Sequence, residues 1–164
     1  MPTRRSRDRS EGQHGLEAGQ RMIDVVAPRT RSRMMATIRG ANTRPELLVR
    51  SFLHRNGLRY RLHAPDLPGR PDIVLPRWRS AVFVHGCFWH RHPGCRFATT
   101  PATRKAFWQA KFNANVARDT RQVKSLMKAG WNVSIIWECE VESKEALGRL
   151  LSRIRPLRKK GTAR

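Results

Sequence analysis

The sequence predicts an α/β domain, a mixed β-sheet covered by helices on both faces. Three observations lead there. Apolar residues recur at helical spacing in some segments and alternate in others, in the order α-β-β-β-α-β-α. The length of 164 residues suits one core of the usual size, about 100–150 residues, with loose ends. Lys and Arg number 34 against 12 Asp and Glu, a formal charge of +22. The excess is not confined to a tail, since residues 30–148 hold 21 basic and eight acidic side chains. A basic folded domain is expected to bind a polyanion.

Residues 1–28 are rich in Arg, Ser, Gly and Gln without apolar periodicity, so they read as a disordered basic extension that cannot bury enough surface to offset its ordering entropy. Thr30 to Ile38, with Met34 and Met35, reads as a short helix, an arm that orders on DNA, or a partly packed lead-in. Thr43-Arg44-Pro45-Glu46 combines a hydroxyl N-cap, a first-turn proline and a capping-box glutamate, which predicts a helix to about Arg55. Asn56-Gly57 stops it, and Leu58, Tyr60 and Leu62 then alternate with Arg59 and Arg61 as a half-buried strand. Strands follow at Asp72–Leu75 and Ala81–Val84, with a turn near Pro76–Ser80, completing a β-meander. Arg104 to Ala129 predicts a long amphipathic helix, with Phe107, Phe112 and Val116 opposed to Lys105, Lys111 and Arg118. Asn132–Trp137 is an apolar strand, Ser143 opens a last helix closed by Pro156, and residues 157–164 form a basic tail. The folded domain is thus expected over residues 29–156.

No stretch approaches the ~20 apolar residues that span a bilayer, and Met1-Pro2-Thr3-Arg4-Arg5 does not lead into a signal segment. A cytoplasmic protein with no membrane partner is expected. Its three cysteines, each near a His or Trp, fit metal-binding thiolates in a reducing compartment better than a disulfide framework.

The segment His85-Gly86-Cys87-Phe88-Trp89-His90-Arg91-His92-Pro93-Gly94-Cys95 concentrates chemistry. Cys87, His92, Cys95 and the distant Cys139 make a Cys₃His set suited to tetrahedral zinc. The other reading is that Cys87 and Cys139 are ordinary buried thiols. Asp72 heads a strand beside the one ending at His85, where a carboxylate and a strand carbonyl can hold Mg²⁺ against a phosphate. A Pro-Asp pair is also a common turn. His85 and His90 follow the neighbouring strand, where one could deprotonate a water and the other assist departure of a 3′ oxygen.

Pro68-Gly69-Arg70-Pro71-Asp72, Val82 to His90, Pro101-Ala102-Thr103-Arg104, Phe107-Trp108, Asn115 to Asp119 and Gly130-Trp131 to Trp137-Glu138-Cys139 together resemble the very short patch repair (Vsr) endonucleases over roughly residues 30–142. The resemblance implies a restriction-endonuclease-like fold, a structural zinc, and Mg²⁺-dependent nicking 5′ of the thymine in T:G mismatches left by deamination of 5-methylcytosine. By motif, Asp72 and the Val84 carbonyl would bind Mg²⁺, His90 would be the general base and His85 would sit near the leaving group. Glu46 would orient the base or an outer-shell water, alongside its capping role. Asp119 would join the site or merely pair with Arg118 or Arg121. Phe88, Trp89 and Trp108 resemble an aromatic wedge that enters the duplex, with Trp108 alternatively a core residue. Met35 or Met34 would reach the opposite groove.

Two departures from the family stand out, the extra residue in Pro93-Gly94 and the long lead before Thr30. The implied partners are double-stranded DNA, a MutL-type repair protein and, indirectly, a cytosine-5 methyltransferase, with the chain acting as a monomer at the bacterial nucleoid. Two rivals share much of the pattern. One is a nuclease of the same fold with other substrates, the other a zinc-stabilised DNA-binding module without catalysis.

Overall fold

The computed structural model describes residues 41–155. The expected basic extension, the Met34–Met35 segment, Pro156 and the basic tail lie outside the described residues.

Helix α1 spans Arg44–Arg55. Glu46 reaches back to cap it, accepting from the Thr43 amide at 3.3 Å and the Thr43 hydroxyl at 2.8 Å, which satisfies donors that the first turn leaves free. Gly57 takes a left-handed φ of 72° to turn the chain toward the sheet. Strand β1 is Arg61–Leu62, β2 is Ile73–Leu75, β3 is Ser80–His85 and β4 is Asn132–Trp137. They lie side by side in that order. The first three are antiparallel, with Arg61 opposite Val74 and Ile73 opposite Val82, whereas β3 and β4 run parallel from Ser80–Asn132 to His85–Trp137. A parallel pair needs a long crossover. Here it comprises a four-residue helix α2, Cys87–His90, a loop, and the 24-residue helix α3, Lys105–Lys128. Helix α4, Lys144–Ile154, follows β4 with Ser143 as its cap.

Side chains alternate across a strand, and β3 separates two cores in this way. Val82 joins Ile73, Leu75 and Ile136 against α1 (Val49, Leu53) and α4 (Leu150, Ile154). Ala81 and Phe83 pack with Leu126 of α3 and with Val133 and Ile135. The mixed sheet is therefore covered on both faces, as the sequence predicts. Arg79 fastens the far end of α3, donating to the carbonyls of Ala129 at 2.8 Å and Gly130 at 3.2 Å, where the helix dipole favours a cation.

Several expectations need correction. The strand expected over residues 58–62 pairs only at Arg61–Leu62, and Leu62 is 42% exposed. Leu58 is buried without being in the sheet, because the core under α1 claims it before the ladder begins. The turn expected near Pro76–Ser80 is present, as a 3₁₀ turn over Pro76–Trp78. Phe112 is buried, but Phe107 and Val116 are 46% and 40% exposed. The inward face of α3 instead carries Phe112 and Leu126.

Candidate active site

Two groups of side chains meet at the end of β3 and are joined through it. The first contains Asp72, just before β2, Glu46 on α1 and His63, just after β1, which offer donor atoms within 4.8 Å of one another. Asp72 Oδ2 accepts from the Val84 amide at 2.8 Å. Among the described residues no hydrogen bond reaches Oδ1. Burial pushes the Asp72 carboxyl above its usual range. The nearby Glu46 carboxylate adds to this, while the Val84 amide, His63 and Arg50 pull the other way. A desolvated carboxylate beside a second one, with a free oxygen, is a donor set that a hard divalent cation relieves. Asp72 and the adjoining Val84 backbone thus fit Mg²⁺. Glu46 fits a different role, because both of its oxygens are taken. Oε1 holds Thr43, while Oε2 accepts from the Asn42 amide at 3.1 Å and from Arg50 at 2.6 Å.

The second group starts at the next residue. His85 lies buried and stacks on His90, with ring centroids 3.9 Å apart and planes 12° from parallel. His90 Nδ1 lies 2.6 Å from Asp119 Oδ2. A carboxylate accepts here, so Nδ1 carries a hydrogen, and in the neutral imidazole the lone pair is on Nε2. Asp119 does approach Arg118, but at 3.8 Å; its short contact is with His90. Burial, followed by the neighbouring His90, lowers the His85 pKa to about 4, against a smaller opposing pull from Asp119. His85 is therefore neutral near pH 7.

Helix α2 presents Phe88, Trp89 and His90 consecutively. All three are half-buried. Phe88 makes edge contacts with Trp89, Trp108 and Phe112 at centroid distances of 4.9, 5.6 and 5.2 Å. Trp108 belongs to this aromatic group and only its stacking on Phe112, at 5.7 Å, reaches the core. Lys111 Nζ lies 5.2 Å from the Trp89 ring and 5.7 Å from that of Trp108, placing a cation where a phosphate backbone would meet flat aromatic faces.

The turn after α2 builds the cysteine cluster. His92 Nδ1 lies 3.6 Å from Cys87 Sγ and 3.3 Å from Cys139 Sγ, and Cys95 Sγ lies 3.9 Å from Cys139 Sγ. Tetrahedral zinc at its usual bond lengths sets S and N donors about 3.5–3.8 Å apart, within a few tenths of an ångström of these separations, so the set fits Zn²⁺. Gly94, with φ 69° and open space around it, lets the chain turn so that the extra residue of Pro93-Gly94 still brings Cys95 back to the others. Burial pushes the Cys87 thiol up to about 12, and a bound cation would have to displace its proton. Trp137 stacks on His92 at 4.2 Å and fixes the ring plane.

A family profile described as DNA mismatch endonuclease Vsr matches residues 23–96. The Type II nicking enzyme V.XorIIP of Xanthomonas oryzae is 48% identical over 82% of this chain and 96% of its own length. The DNA mismatch endonuclease Vsr of Escherichia coli is 43% identical over 77% of this chain and 80% of its own. The chain belongs to the Vsr family of DNA mismatch endonucleases. It is an endonuclease of a DNA-repair family, which removes the non-catalytic binding module from consideration. Among the described residues no helix is long and apolar enough to cross a membrane.

In this Vsr chain the structure gathers Asp72, Val84, His85, His90, Glu46 and Asp119 around the end of β3, and Phe88, Trp89 and Trp108 beside them. Sequence reasoning passed over four neighbours. Arg50 had a visible signal, being four residues after Glu46 on one helix face. From sequence Lys111 reads only as part of the polar side of its helix. His63 and Glu138 carry no local signal, since each acts across the fold. Glu138 accepts from the Cys87 amide at 2.9 Å while its own amide donates to the His85 carbonyl at 2.9 Å.

Proposed function

We propose that this chain nicks DNA 5′ of the thymine in T:G mismatches, using Mg²⁺, and so starts short-patch repair of deaminated 5-methylcytosine. The observation that carries the reading is the run Phe88-Trp89-His90 on one turn of helix. It puts flat side chains suited to a weakened base step and a general base on the same rigid support. A wobble pair is cheaper to unstack than a matched one, and stacking a base on an aromatic contributes about 1–3 kcal/mol.

The proposed chemistry follows from the hydrogen bonds. Asp119 holds His90 through Nδ1, so Nε2 removes a proton from water as that water attacks phosphorus. The bond from phosphorus to the 3′ oxygen breaks. The 3′ oxygen leaves and is protonated by solvent, and the phosphate stays on the 5′ end of the thymine. His85, neutral with a pKa of about 4, serves beside the leaving oxygen as a hydrogen-bonding group rather than a cationic acid. Asp72 and the Val84 carbonyl would hold Mg²⁺, which when bound neutralises phosphate charge and acidifies a water. Glu46 acts indirectly, as the cap and buried counter-ion that frames Asp72. Cys87, His92, Cys95 and Cys139 would hold a structural Zn²⁺.

The four-stranded sheet accords with a restriction-endonuclease-like core in an endonuclease domain over residues 29–156. Lys111 over the aromatic group supports a duplex lying across α2 and α3, and Met35 would meet it from the opposite groove. A MutL-type protein and a cytosine-5 methyltransferase remain the expected functional context, and one active site suffices for one nick.

The test is nicking of end-labelled duplexes that differ only in T:G, T:A or C:G at one position, with Mg²⁺ or EDTA. The reading expects a Mg²⁺-dependent break 5′ of the mismatched thymine, lost in Asp72→Ala and His90→Ala. Equal cutting of all three duplexes would replace it with a nuclease of relaxed specificity.

A further inference from the structure

Arg50 is a buried guanidinium that packing alone does not demand. It lies 6% exposed and donates to Asn42 Oδ1 at 2.6 Å and to Glu46 Oε2 at 2.6 Å. Its remaining buried Nε has no hydrogen-bond partner. A buried ion pair of this kind seldom improves stability over well-packed apolar side chains, and an orphaned donor makes it costlier. Its third contact suggests what the arrangement is for. Arg50 lies 3.1 Å from His63 Nε2.

Guanidinium nitrogens only donate, so His63 Nε2 must accept and the ring hydrogen must sit on Nδ1. The competing partner of Nε2, Glu46 Oε2, is 3.8 Å away, too far for a hydrogen bond. Nδ1 faces Asp72 Oδ1 across 4.0 Å, also beyond a hydrogen bond, though a gap that a small shift of the carboxylate closes; Oδ1 receives no hydrogen bond while Oδ2 is held by Val84. The backbone agrees. His63 has φ 45°, a left-handed conformation that costs a non-glycine residue energy. Its amide also points to the Asp72 carbonyl, at 3.4 Å.

We propose that Arg50 and His63 are positioning residues for this endonuclease: Arg50 sets the His63 tautomer, and His63, whose amide bonds the Asp72 carbonyl, presents Nδ1–H toward Oδ1 and so steadies the carboxylate that would hold the cation. The inference rests on reading Asp72 as the divalent-metal carboxylate. Outer-shell partners of this kind change metal affinity by about 10–100-fold when removed.

The experiment titrates Mn²⁺ into the zinc-loaded full-length protein with excess T:G duplex, reading free Mn²⁺ by electron paramagnetic resonance. Wild type, Asp72→Asn, His63→Leu and His63→Gln are compared, each checked for an unchanged thermal transition. His63→Leu should weaken the Asp72-dependent Mn²⁺ affinity at least tenfold. His63→Gln, whose amide can accept from Arg50 and donate to Asp72, should stay within about threefold of wild type. An affinity in His63→Leu within twofold of wild type overturns the proposal and leaves the metal role of Asp72 intact. Wild type and Asp72→Asn binding Mn²⁺ alike would overturn both.

Discussion

Replacing Asp119 by Asn tests the pairing that, on the proposed reading, makes His90 a base. The wild-type contact is 2.6 Å, the length of a charge-assisted hydrogen bond, and it keeps the imidazole hydrogen on Nδ1. Asn presents an amide N–H that can donate to Nδ1 instead. That contact drives the hydrogen to Nε2 and removes the lone pair facing the water. The equivalent change in Ser-His-Asp triads lowers kcat about 10⁴-fold through the same wrong tautomer. On the proposed reading the nucleophile is a water that a cation at Asp72 would also activate, so the expected loss is about 10²–10⁴-fold in the single-turnover nicking rate. At 1.36 kcal/mol per tenfold, this is roughly 3–5 kcal/mol of barrier. The assay is single-turnover cleavage of a T:G duplex with enzyme in saturating excess, with duplex affinity and the thermal midpoint measured in parallel. Both should stay near wild type, because Asn is isosteric. A nicking rate within threefold of wild type would refute the argument.

Three further outcomes are expected. The His85 pKa falls from 6.5 unfolded to about 4 folded, so the unfolded chain binds more protons between those values. Stability is then full above about pH 6.5 and is lost as pH falls toward 4. Urea unfolding of wild type should drop by about 2 kcal/mol more than that of His85→Gln between about pH 7 and pH 5, and parallel pH curves would show that His85 is not desolvated. Glu138→Ala removes the acceptor for the Cys87 amide and should lower unfolding free energy by about 1–3 kcal/mol and slow nicking with zinc retained; an unchanged midpoint would deny Glu138 its anchoring role. Leu53→Ala opens the fully buried core between α1 and the sheet and should cost about 2–5 kcal/mol, read by denaturation, without moving the nick.

How much of this was legible depended on the range of the interaction. The Thr43–Glu46 cap and the Asn56-Gly57 stop involve neighbours in sequence, and each is readable because the backbone signal is local. Helix α2 is four residues long, too short for any periodicity, and its ends are set by Gly86 and Arg91 within the cysteine cluster. Strand β1 was overextended because alternation in Leu58, Tyr60 and Leu62 also suits a chain that merely crosses a core. Phe107 and Val116 looked inward by spacing, yet only part of α3 meets the sheet, so exposure along it follows tertiary contact rather than period. The resemblance names candidate site residues, but the sequence does not give their pairings. His90 and Asp119 are 29 residues apart, and Glu46 meets His63 from a different element. Nothing in the intervening sequence specifies such meetings.

The short helix α2 has one more consequence. Cys87 at its start and His92 just past its end belong to the same cysteine cluster, so a metal ion held there would clamp the turn carrying Phe88, Trp89 and His90 at both ends. Probe and blade on such a mount cannot be adjusted separately. On the proposed reading, a duplex that refuses the aromatics also withholds its phosphate from His90. The wrong substrate would then be bound and released uncut, and selectivity would be felt in the turnover rate more than in affinity.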